Sequence, residues 1–86
     1  MGVGRVVGKV WKDGDWWISE IPALDITTQG HDFLDSVTMA KDTIESLIGV
    51  KGFKAFFFIK KNNEFEIESN NKQLLMKLME ERKNTR

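Results

Sequence analysis

The spacing of apolar residues switches along this chain from strand-like alternation to a helical repeat and back again. Val3 to Trp11 is rich in β-formers, interrupted by Gly4 and Gly8. Asp13-Gly14 is a strong type I′ hairpin signal. With those two residues as the loop, Lys12 faces Asp15 and Trp11 faces Trp16. Trp16 to Ile21 is then the returning strand. Pro22 lacks an amide proton, so it ends that strand or marks an edge. Asp25 to Gln29 reads as a short third strand closed by Gly30.

The period then lengthens. Asp32 is a good N-cap, and Asp35 sits three residues on, where its carboxylate can reach back to the cap. Leu34, Val37, Ala40, Ile44, Leu47 and Ile48 recur at helical spacing, with Lys41, Asp42 and Glu45 on the polar side. Gly49 supplies the left-handed stop. Phe53 to Ile59 and Glu64 to Glu68 return to strand alternation. A two-residue loop at Asn62-Asn63 would set Phe57 against Glu68 and Ile59 against Glu66. A three-residue loop, Lys61 to Asn63, sets Ile59 against Phe65, Phe57 against Ile67 and Lys60 against Glu64. It also gathers Phe53, Ala55, Phe57, Ile59, Phe65 and Ile67 on one face. A buried face specifies register strongly, which selects the second arrangement. Phe56 and Phe58 then point to the other face, between Lys54 and Lys60. Ser69 or Asn70 caps a last helix with Leu74, Leu75, Leu78 and Met79 on one side. Arg82, Lys83 and Arg86 crowd its C-terminal end, where cations suit the helix dipole.

The expected order is therefore β-β-β-α-β-β-α, an α+β fold with an antiparallel sheet and the main helix on one face. With 86 residues and 41% apolar content, the chain can bury one modest core. Such a core rarely leaves more than about 3–5 kcal/mol of net stability, so a homodimer or larger oligomer is expected. Cysteine is absent, which removes disulfides and thiolate metal sites and points to a reducing cytoplasm. No apolar run approaches the roughly 20 residues of a membrane span, and the first residues lack the apolar core of a signal peptide. The formal net charge is zero, without the basic excess of a nucleic-acid binder.

The residues from Lys12 to Ile48 carry a family resemblance. The Asp13-Gly14 turn, Trp17 in the next strand, and Pro22-Ala23-Leu24 before a short strand come first. Thr28-Gln29-Gly30 follows, then the helix opened by Asp32 with an acid at Asp35. Each piece is weak alone, but their order over residues 5 to 60 resembles the HicB-like antitoxin domain. That family carries a β-β-β-α-β core, a partial ribonuclease H fold without its catalytic carboxylates. The resemblance implies a HicA-type partner, a small basic toxin that cleaves messenger RNA and is blocked when the antitoxin covers its active site. Residues 1–69 form the HicB-like sheet-and-helix domain in this reading. Residues 70–86 form a C-terminal helix that resembles the first helix of a helix-turn-helix segment. The recognition helix is missing, which puts DNA binding in doubt.

Individual residues have competing readings. Trp17 is expected to pack. Trp11 and Trp16 either pack across strands beside a tight turn or present a surface to a partner. Phe56 and Phe58 either line a second core or form a homodimer or toxin contact. The alternating acids Glu64, Glu66 and Glu68 form a solvated strand face that can also meet a basic toxin. Lys51 to Phe58 resembles the longer RNA-binding motif of RRM domains, but departs from it at Lys54 and Ala55. Gly2, Gly4 and Gly8 are not spaced as a dinucleotide loop and are read as a flexible start and a strand bulge. His31, the single histidine, reads as a surface residue before the helix cap. Asp13, Asp15, Glu20 and Asp25 are explained by turns and edges better than by a carboxylate cluster. No serine has an evident base partner. The expectation is a binding protein and not an enzyme, without metal or cofactor. It is an antitoxin acting by occlusion, or alternatively a small RNA-binding module or an orphan self-associating domain.

Overall fold

The computed structural model describes residues 4–84, with side chains through Arg82. Val3, Arg86 and the Lys83 side chain therefore lie outside the described residues. Five strands form one antiparallel sheet: β1 (Val6–Asp13), β2 (Trp16–Ile21), β3 (Ile26–Gly30), β4 (Ala55–Ile59) and β5 (Glu64–Ser69), in the order β3-β2-β1-β5-β4. Helix α1 (Phe33–Ile48) follows β3, and α2 (Lys72–Asn84) follows β5. The α+β class, the antiparallel sheet and the helix on one face are as the residue pattern predicts.

Alternation decides the faces. Val6 and Val10 of β1 are buried while Val7 and Trp11 are exposed, and β5 buries Phe65 and Ile67. These side chains meet Val37, Ala40 and Ile44 of α1 and Leu75 and Leu78 of α2 in a single core. Both helices thus cover the same side of the sheet. In α1 the buried stripe is Ser36, Val37, Ala40 and Ile44, whereas Leu34 and Leu47, expected in that stripe, are exposed at its margins. Asp32 caps α1 by accepting the Asp35 amide at 2.8 Å. The Asp35 carboxylate accepts from the His31 amide at 2.8 Å, one residue before the cap, and not from the cap itself. Gly49 ends the helix with φ of 62°, as the sequence predicts.

The β4–β5 register follows the choice made from burial: Ile59 lies opposite Phe65 and Phe57 opposite Ile67. The Lys60 amide donates to the Glu64 carbonyl at 2.8 Å, and the loop takes left-handed residues at Asn62 and Asn63. The first hairpin differs from expectation. Asp13 pairs with Trp16, Lys12 with Trp17 and Trp11 with Ile18, so the loop is Gly14-Asp15 and not Asp13-Gly14. Only Gly14, the first loop residue, has positive φ (64°), which fits a type II′ turn with glycine leading. The shift spans two positions in the pairing, so every side chain keeps its predicted face.

Other boundaries move for local reasons. Pro22–Leu24 forms a short 3-10 turn, and Asp25 closes it in the left-handed region instead of starting β3. Asn71, and not Ser69 or Asn70, caps α2, its Oδ1 accepting the Leu74 amide at 3.1 Å. Gly8 is no bulge. It pairs regularly with Phe65, whose ring would lie 2.3 Å from an added Cβ, so only glycine leaves room for that ring. The Arg82 side chain donates to the Leu24 carbonyl at 2.7 Å and the Asp25 carbonyl at 3.2 Å, pinning α2 to the 3-10 turn.

One polar contact runs through the core. The Ser19 hydroxyl of β2 donates to Ser36 Oγ at 2.8 Å, and the Ser36 hydroxyl donates to the Phe33 carbonyl at 2.9 Å. Thr28 of β3 donates to the Ser36 carbonyl at 2.9 Å. The chain of donors has a direction, so its two serines are not equivalent. Ser36→Ala strands the buried Ser19 hydroxyl and is expected to cost about 1–3 kcal/mol. Ser19→Ala leaves Ser36 with its carbonyl and is expected to cost less. The double variant is expected to be no worse than Ser36→Ala alone. Urea unfolding of the three variants checks the order.

Candidate binding face

The side of the sheet away from both helices is bare. Alternation places Thr27 and Gln29 of β3 there, with Trp16, Ile18 and Glu20 of β2 and Val7, Lys9 and Trp11 of β1. Glu64, Glu66 and Glu68 of β5 and Phe56 and Phe58 of β4 complete the face. All seven residues singled out from the sequence therefore share one face. Trp11, Trp16, Phe56 and Phe58 are each between 40 and 48% exposed. Trp17 points the other way and packs against Phe33, ring centroids 5.9 Å apart.

The seven do not form one cluster. Phe56 and Phe58 sit on the edge strand, opposite Glu68 and Glu66. Trp11 and Trp16 lie near the β1–β2 turn, where Trp16 stacks on His31 with centroids 4.9 Å apart. That pairing gives the single histidine a packing role not foreseen from its position before a cap. Between the aromatic groups runs the acidic column of β5. The Arg5 guanidinium lies 3.6 Å from Glu66 and 3.9 Å from Glu68, and the Lys60 ammonium lies 3.7 Å from Glu66. Lys9 stands between Glu64 and Glu20 in the register. Exposed pairs of this kind are worth about 0–1 kcal/mol, so they exchange readily for a partner's cations.

Val7 and Ile18 belong to the same face, and neither was singled out from the sequence. Val7 neighbours Glu66, which neighbours Phe58, giving an apolar-acid-apolar row across three strands. The signal was present in the Val6-Val7 doublet: when one valine faces the core, the next must face away. What the sequence could not supply was the adjacency of β1 and β5.

On the helical side, charged groups of α1 reach the edge strand. Lys41 contacts Asp42 at 3.1 Å and Glu45 at 3.4 Å, and the other Glu45 oxygen accepts the Ala55 amide at 2.8 Å. Burial works to lower the Lys41 pKa, but the two carboxylates more than offset it and leave it raised. Among the described residues, no three His, Cys, Asp or Glu side chains are grouped to hold a metal, and no helix is long and apolar enough to cross a membrane. Comparison with known protein families, curated proteins and solved structures finds no match.

A bare face predicts an asymmetry in mutational cost. Phe56→Thr and Phe58→Thr keep a strand-forming residue and are expected to change stability by no more than about 0.5 kcal/mol. Phe65→Ala, in the core, is expected to cost about 3–5 kcal/mol. Chemical denaturation measures both. A large loss at Phe56 or Phe58 would mean that something already covers the face.

Proposed function

We propose that this chain is a binding protein of the HicB-like kind, an antitoxin that neutralises a small basic HicA-type ribonuclease by covering it. The reading starts from the sequence resemblance across residues 5 to 60. The observation that carries it is the sheet face left bare by both helices, where an acidic column lies between exposed aromatic side chains. Aromatic anchors supply contact area at low entropic cost, and acids opposite a basic partner speed encounter and fix orientation. Occlusion needs no chemistry from this chain. In this reading α2 closes the core through Leu75 and Leu78, leaving the bare face as the contact surface.

A second reading draws on Phe56 and Phe58, two exposed aromatics on the same open sheet face, on which bases could stack. The carboxylates of Glu66 and Glu68 directly beside them repel phosphate, and the chain has no compensating net charge. Protein binding is therefore preferred to RNA binding.

The test is a pull-down of tagged protein from its host lysate, followed by an RNA-cleavage assay on whatever is captured. The expected result is a small basic ribonuclease whose activity stops when the chain is added. Phe58→Glu and Glu66→Lys should weaken that binding at least tenfold, about 1.4 kcal/mol, without unfolding the chain. Recovery of RNA alone, with affinity falling steeply as salt rises, would replace the antitoxin reading with the RNA one.

A further inference from the structure

Strand β4 ends the sheet, and its outer edge is open. The Lys54 amide and carbonyl both engage Asn70, at 3.0 Å each, and the Lys60 amide donates to Glu64. Even-numbered positions of β4 therefore direct their backbone groups toward β5. Antiparallel alternation then turns the N–H and C=O of Ala55, Phe57 and Ile59 outward. The Ala55 amide is held by the Glu45 carboxylate at 2.8 Å. Phe57 and Ile59 remain as an open template of donors and acceptors in an apolar strand, the situation that invites pairing with another chain.

Ile59 sharpens this. It belongs to the helix-side face, with Phe57 and Ala55, yet it is 46% exposed because neither helix reaches that end of β4. On the opposite face Phe56 and Phe58 are also uncovered. The edge is thus apolar on both sides.

We propose that a second copy of this chain docks here, its β4 antiparallel to the first across a two-fold axis at Phe58. The register is selected by charge and by the free backbone groups. Centring on Phe57 would require the Ala55 amide, already occupied, and would set Lys54 against Lys60 of the second copy, a like-charge pair directly opposite. Centring on Phe58 pairs Phe57 with Ile59 in both directions and uses only open groups. It covers Ile59 with the second copy's Phe57 and sets Phe58 against itself. The contact is isologous, as two-fold symmetry requires. A five-residue edge is small beside the roughly 800 Å² per partner of a standard interface, so the dimer dissociates on dilution. This inference does not depend on the antitoxin reading, and its test needs no partner.

The chain has no cysteine, so each introduced thiol is alone. Position 58 would face its own copy as a non-hydrogen-bonded antiparallel pair, with Cα atoms about 4.5 Å apart, within reach of a disulfide. Under mild oxidation of the purified protein, Phe58→Cys is expected to give mostly covalent dimer. Trp11→Cys, on the same face but away from the edge, is expected to stay monomeric. Adding Ile59→Lys to Phe58→Cys should reduce the cross-linked fraction at least fivefold, with circular dichroism confirming an intact fold. Sedimentation of the unmodified chain should show a monomer–dimer equilibrium lost in Ile59→Lys. Equal cross-linking from Trp11→Cys, or an unmodified chain that stays monomeric at hundreds of micromolar, would overturn the proposal.

Discussion

The structure depends on the double pairing of β1. This strand alone joins the two halves of the sheet, meeting β2 on one side and β5 on the other. A slip of one residue would turn Val6 and Val10 to solvent and bring Val7 and Trp11 to the core. Gly8 prevents such a slip from being tolerated, because the Phe65 ring occupies the space above it. Once β1 is registered, Phe65 and Ile67 fall on the buried side, and the hairpin of β4 and β5 can turn only one face to the helices.

The bare face follows from the same geometry. A sheet of five strands has two sides, and both helices are needed to cover one. α1 is held at its first turn by Ser36 against β2, and α2 is held at its last turn by Arg82 against the 3-10 turn. Each helix is thereby anchored on the same side of the sheet. The uncovered side must then be tolerated in water, and the sequence meets this by alternating aromatics with acids, lysines and threonine. The ion pairs of Glu66 and Glu68 soften that face without closing it.

Much of this is legible in the local chemistry of the sequence. The cap at Asp32, the stop at Gly49 and the two-residue parity of each strand determine which side chains share a face. Choosing the β4–β5 register from the burial of Phe57 and Ile67 worked because a mispaired hairpin would have buried glutamates. The β1–β2 loop falls one residue later than the Asp13-Gly14 signal suggests, because glycine serves either loop position, in a different turn type. Parity absorbed that shift, since the facing of Trp11, Trp16 and Trp17 did not change. Ile59 departs from the expected burial for another reason. Facing the helical side does not bury a residue when the helix stops short of it. The placement of β5 beside β1 was illegible, because nothing in either strand alone names its neighbour across so much intervening chain.

The central position of β1 also has a consequence in time. β1 leaves the ribosome before the other four strands of this sheet, and one of its edges waits for β5. β2, β3 and α1 can fold onto it early, through local hairpins and the Ser19 contact. Until β5 has emerged, however, Val6 to Lys9 presents an unpaired edge beside a half-built core. The nascent chain is therefore most exposed to mispairing with its neighbours in the interval between finishing α1 and finishing β5. A slow stretch of translation there would lengthen the hazard, and rapid passage through the β4–β5 hairpin would shorten it.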